Sequence, residues 1–225
     1  MTRFKVALIH LSISIIVIGL FIGIVFFIWY PKPLYTIAHV VEPLKLLVLI
    51  GIIVGPALTF IVFSKKKSLK HLRIDLSLVV LLQICALSYG IYSIYNGRSS
   101  IIVFAEGRFN YLVERYAHEE QLKSKELKTS FFSKPKLAYI PQLKTDIYES
   151  YADMLPLTDF SIIESSALSV ESMMNKFKSK SSDIQAFVKK YPEDELFFIT
   201  LDRDMAINYI VFSKTRNQII DELKF

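Results

Sequence analysis

Residues 46–95 read LLVLIGIIVGPALTFIVFSKKKSLKHLRIDLSLVVLLQICALSYGIYSIY, an apolar run, a basic turn and a second apolar run. Each run is long enough to cross a hydrocarbon core of about 30 Å as a helix. Between them stand Lys65, Lys66, Lys67, Lys70 and Arg73, and such a cluster marks the side of the membrane on which a short loop stays. The stretch predicts two membrane spans, 46–63 and 76–95, joined by a cytoplasmic loop.

A third run, Val6 to Tyr30, follows Arg3 and Lys5. Its apolar core exceeds the roughly 7–15 residues of a cleaved signal peptide, and no small-residue cleavage site follows, so it reads as a retained anchor over 6–30. Trp29 and Tyr30 suit the interfacial aromatic belt, and Pro31 and Pro33 end the helix as it emerges. Two basic residues precede this span, two lie in the first loop (Lys32 and Lys45) and five in the second. That asymmetry predicts a cytoplasmic N-terminus and, after three crossings, a periplasmic C-terminal part in a bacterium. Residues 1–97 are expected to form the three-span region and residues 98–225 one small α+β extracytoplasmic domain with an antiparallel sheet.

Composition averages these unlike halves: 52% of the 225 residues are hydrophobic and 21% charged. The formal charge of +6 sits largely in the basic loop and at the N-terminus, while beyond Gly97 acids and bases interleave without a single-sign block. Nucleic acid is therefore excluded as a partner, since it requires a basic footprint. The single cysteine, Cys85, permits no intramolecular disulfide and reads as a small buried apolar residue.

Beyond the spans, Ile101–Phe104 and the alternating Phe109, Tyr111 and Val113 predict a hairpin about Glu106 and Gly107. A helix over Glu114–Lys128 competes for its second half, on the solvated face of Glu119, Glu120, Lys123 and Glu126. The proline-bearing stretch Thr129–Pro156 reads as mostly loop, with one helical turn near Tyr148. Ser169–Lys178 and Asp183–Lys190 read as helices, the second capped by Ser182. Leu196–Leu201, Ile207–Phe212 and Gln218–Leu223, with turns at Asp202–Asp204 and Lys214–Asn217, read as an antiparallel meander.

Chemistry in the spans is sparse. Gly19 with Gly23, Gly51 with Gly55 and Ala86 with Gly90 are small residues four apart, the spacing that lets helices approach closely in lipid. These grooves serve either the three spans' own packing or a foreign helix. Pro56 removes a backbone donor and predicts a kink facing protein rather than lipid, with Thr59 one turn on able to help satisfy the freed carbonyls. Gln83, an amide near mid-membrane, requires a partner on another helix, such as Thr59. Asp75 with Arg73 reads as the start of the third span, its carboxylate complementing the helix dipole. Catalysis is not supported: one carboxylate at a span edge makes no aspartyl pair, Ser88 lacks an intramembrane histidine, and the four histidines, His10 and His39 among them, share no metal-ligand spacing. No cofactor is expected.

Trp29-Tyr30-Pro31 after the first span, Gly55-Pro56-Ala57-Leu58-Thr59 in the second, Arg73-Ile74-Asp75-Leu76, Gln83, Ala86-Leu87 and Tyr89-Gly90 in the third, and Arg108-Phe109 beyond resemble the TfpX/TfpZ family of type IV pilin accessory proteins. The match is strongest over about the first 110 residues; the closing strands lack the family's more glycine-marked last hairpin. The resemblance implies a non-enzymatic inner-membrane protein that assists a major pilin toward pilus assembly, with the pilin, the assembly machinery and lipid as partners. A pilin before assembly is held by one apolar helix with its head in the periplasm, and Gly51, Gly55, Pro56, Thr59, Gln83, Ala86 and Gly90 are the candidate contacts to that helix. Two other classes remain open: a membrane sensor with a periplasmic ligand domain, and a membrane enzyme acting on pilin or envelope glycans.

Overall fold

In the computed structural model, which describes residues 2–38, 40–113, 122–145, 147–203 and 206–224, three long apolar helices lead into an eight-stranded sheet. The first helix is α1 (Arg3–Ile24), opened by the Thr2 hydroxyl, which accepts from the Lys5 N–H, and prolonged by a π-helical turn at Val25–Trp29. A short helix α2 (Leu34–Ile37) separates it from the second, built of α3 (Val41–Val48), a π-helical turn at Leu49–Val54 and α4 (Gly55–Val62). The third is α5 (Leu69–Asn96), capped by the Ser68 hydroxyl, which accepts from the His71 N–H. Arg3–Trp29, Val41–Val62 and Leu69–Asn96 are each long and apolar enough to cross a bilayer, and the chain is a membrane protein.

The helices outrun the apolar runs because their polar ends are also good helix formers; Glu42 and Lys45, one turn apart, pair at 2.8 Å. This corrects the role expected of Asp75. The helix begins upstream at Leu69, and Asp75 pairs with Lys67 at 2.6 Å in place of Arg73. Both α1 and α5 lie against the second helix, with little direct contact between them.

Strand β1 (Ser99–Ala105) follows α5 almost without a break and returns through Glu106 and Gly107, both at positive φ, as β2 (Arg108–Val113). The competing helix over Glu114–Lys128 falls mostly outside the described residues, apart from one 3-10 turn at Lys125–Leu127. The stretch read as mostly loop contains β3 (Lys136–Tyr139), the helical turn expected near Tyr148 as α6 (Ile147–Ala152), and the two-residue β4 (Leu155–Pro156). Strand β3 is too short to carry a readable period; its conformation comes from pairing with the edge of β1, Ala138 beside Val103. Then follow β5 (Leu168–Ser169), α7 (Val170–Lys176) with Ser169 as its cap, and α8 (Ser181–Lys190), which lacks the cap expected of Ser182. The meander β6 (Leu196–Arg203), β7 (Ala206–Ser213) and β8 (Gln218–Leu223) forms as expected. Its first turn, anticipated at Asp202–Asp204, lies partly outside the described residues.

The strand order β4-β3-β1-β2-β6-β7-β8, with β5 on β6, corrects the expectation of an antiparallel sheet. The sheet is mixed: β1 with β3 and β2 with β6 run parallel. Both parallel neighbours are reached through long connections, which permit what a tight hairpin forbids.

Period-two alternation buries both faces of this sheet. Ile102, Phe104, Phe109, Ile199, Ile210 and Phe212 share a core with Leu34 and Ile37 of α2, while Phe198 and Val211 pack with Met173 and Ile184 of α7 and α8. Because α2 lies between two spans, its place in the sheet's core puts that loop and the sheet at one end of the bundle. The basic loop lies at the other.

Candidate functional site

The local problem begins with Pro56. In the π-helical turn N–H groups reach back five residues, as Gly55 does to the Ile50 carbonyl. The next donor in that register would be Pro56, which has no N–H, so the helix leaves the Gly51 carbonyl without this bond. Gln83 of α5 supplies it, donating Nε2–H to Gly51 O at 2.9 Å and also to Ser14 Oγ at 3.2 Å. A carbonyl only accepts, so this contact fixes the amide's orientation and aims Oε1 at His10 Nε2, 2.5 Å away. His10 Nε2 therefore donates, and in the neutral ring Nδ1 accepts from the Thr59 hydroxyl at 2.6 Å. The result is a polar node joining all three helices inside the membrane.

The node depends on close approach. A Cβ at Gly55 would stand 2.2 Å from Gln83 Oε1, and one at Gly51 2.2 Å from Ile18 Cδ1. At Gly90 it would meet Leu47 Cδ1 at 2.7 Å. Gly19 and Gly23 differ: nothing lies within 4 Å of either Cβ position.

Above the node, α1 and α5 stand apart over the second helix and enclose an apolar cleft of about 470 Å³. Ile9, Ile13 and Val17 form one wall, Val80, Ile84 and Leu87 the other, with Gly51, Thr59, Gln83 and Ala86 also in the lining. Of the residues singled out from the sequence, these four reach the cleft. Pro56 is buried, Gly55 lies under the Gln83 amide, and Gly90 is covered by Leu47. Lys65, Lys66, Lys70 and Arg73 are exposed at the far end, where Lys67 holds Asp75. Cys85, expected to be buried, faces outward from the bundle. His10 and Ser14 escaped the sequence reading, although their spacing of four in an otherwise apolar run placed both on one helix face.

Thr59, His10 and Gln83 stand in the order of hydroxyl, base and orienting acceptor, but Thr59 is only 2% exposed. The arrangement can fix three helices in register beneath an apolar cleft. Among the described residues, no three His, Cys, Asp or Glu side chains gather as metal ligands.

The other end of the bundle is clamped to the sheet. Trp29 donates its indole N–H to Phe131 O at 2.6 Å; buried Arg98 donates to Phe131 O and Ser130 O and lies 4.3 Å from the centre of the Tyr95 ring. Tyr30 donates to the Ile94 carbonyl at 2.8 Å. Trp29 and Tyr30, expected in the interfacial aromatic belt, stand at the end of the first span but are buried within protein. On the α2 side, Asp221 takes Lys190 at 2.5 Å and Lys32 at 3.8 Å. Burial pushes the Asp221 carboxyl up, but the Lys190 ammonium, the Glu222 N–H and the Tyr191 hydroxyl outweigh it and hold it below its ordinary range.

Residues 1–39, which include α1 and two members of the node, match the family model described as Fimbrial assembly protein FimB. Three curated relatives, all from Dichelobacter nodosus, are named fimbrial assembly proteins. The serogroup I protein is 38% identical over 108 residues, 48% of this chain and 42% of the relative. The serogroup E1 protein is 38% identical over 100 residues, 44% of this chain and 39% of the relative. The chain thus spans about two fifths of the length of these two. No solved structure matches it. The protein of serogroups C1 and C2 is 39% identical over 100 residues, 44% of this chain and 76% of the relative. With that much of a relative covered, the chain belongs to the fimbrial assembly protein family.

Proposed function

We propose that this protein is a non-enzymatic inner-membrane accessory factor of type IV pilus assembly, of the TfpX/TfpZ kind, that holds a cognate major pilin before its incorporation. Family membership supports a role in assembly, and the quoted motifs support the narrower kinship. The observation that carries the mechanism is the cleft between α1 and α5, which the chain's own helices leave unfilled. A pilin's single apolar helix docks its side chains there, over the polar node.

In this reading Gly55, Pro56 and Gly90 serve internal packing, whereas Gly51, Thr59, Gln83 and Ala86 border the docking surface. Residues 1–97 form the membrane region and 98–225 the periplasmic domain, an orientation supported by the basic loop lying opposite the sheet. The clamp at Trp29, Arg98 and Asp221 holds the domain at a set height above the cleft, so that helix and head of one pilin are engaged together, or head and assembly machinery. Deleting the gene and comparing surface pili with total pilin tests this. Loss of surface pili while pilin is still made is the expected result; normal piliation overturns the proposal.

A further inference from the structure

The turn Ser130–Ser133 has a composition that makes little sense in water. Ser133 N–H donates to Ser130 O at 2.9 Å and Ser130 N–H to Ser133 Oγ at 2.8 Å, closing a tight turn whose two central residues are Phe131 and Phe132. Turn centres ordinarily carry Gly, Asn, Asp or Pro, and an exposed pair of phenylalanines there marks a contact surface. Phe132 is 67% exposed. Its height is set by the clamp: Phe131 O accepts from Trp29 and Arg98, and the Phe131 ring stacks on Tyr95 at 5.4 Å between centres, with Phe132 5.0 Å beyond. Trp29 and Tyr95 lie in the last turn of their spans.

We infer that this turn is a bilayer-contacting wedge of the C-terminal domain, its occupant the lipid interface of the membrane that the helices cross. Phe132 enters at the boundary of headgroup and acyl chain, level with Tyr92 on the outer face of α5, itself 67% exposed. Lys128 and Lys134 flank the turn and are exposed, a local charge that suits anionic phospholipid headgroups. The wedge is continuous with the ends of the helix bundle, which selects lipid over a second copy or a soluble partner. It also gives the domain a second attachment to the membrane, independent of any pilin.

The test places a nitroxide at Phe132→Cys in a Cys85→Ser background of the full chain, reconstituted in vesicles of phosphatidylethanolamine and phosphatidylglycerol. Arg108→Cys, across the sheet at the far end of the β1–β2 hairpin, is the reference. The expected result is a label at 132 more accessible to oxygen than to a water-soluble nickel chelate, with the opposite ranking at 108. A label at 132 that ranks the reagents as 108 does overturns the inference. So does one shielded from both reagents, which indicates a protein partner or a second copy. In phosphatidylcholine vesicles the label is expected to sit shallower; an equal depth overturns the part assigned to Lys128 and Lys134.

Discussion

Two glycine pairs share one spacing and opposite fates. Gly51 and Gly55 lie under Ile18 and Gln83, so closely that neither position has room for a methyl group. Gly19 and Gly23, on α1, face open space. The difference lies in the partner helix. Pro56 leaves a carbonyl on the second helix in need of a donor, and Gln83 is the amide that reaches it. At Gly55 the neighbour pulled in answers a polar obligation, and spacing alone does not reveal it.

The sharpest way to break the contrast is Gly55→Leu. The added side chain displaces the Gln83 amide and with it the contacts to His10, Ser14 and Gly51, and overpacking adds to the cost. A loss of about 3 kcal/mol or more is expected, read as loss of folded protein in detergent. Gln83→Leu keeps the packing volume but strips the donor, and a drop of about 1–2 kcal/mol in thermal denaturation is expected.

Acid probes the clamp, where Asp221 has a lowered folded-state pKa. Its stabilisation is full above the unfolded carboxylate pKa and lost as pH falls through the lower folded one. Hydrogen exchange at Leu34–Ile37 should therefore rise below about pH 4, and Asp221→Asn should flatten that rise. Last, Gly19→Leu with Gly23→Leu should change stability by no more than about 0.5 kcal/mol, since nothing folded meets the new side chains.

Much of this was legible in the sequence where a residue carried an obligation. Pro56 and Gln83 had to find partners in a medium without water, and both did. Thr59 joined them, but through His10 and not directly. His10 was obscured because it stands near the start of its span, where a polar residue looks like an end; only its register with Ser14 pointed inward. Strand β3 and the burial of Trp29 and Arg98 were not legible, because long-range contacts determine each: the edge of β1 for the strand and the Ser130–Ser133 turn for the two side chains. Mixed strand polarity escaped for the same reason, since local alternation does not say which edge a hairpin will meet.

A pilin helix seated between α1 and α5 is best tested by site-specific photocrosslinking in cells that make both proteins. One crosslinker replaces Ile84 in the cleft wall; the other replaces Ile15, which is 49% exposed and one turn before Gly19, on the face of α1 away from Ile9 and Ile13. A covalent adduct with pilin from position 84 and none from position 15 is the result predicted. Adducts from position 15 alone, or none from position 84, would contradict docking in the cleft.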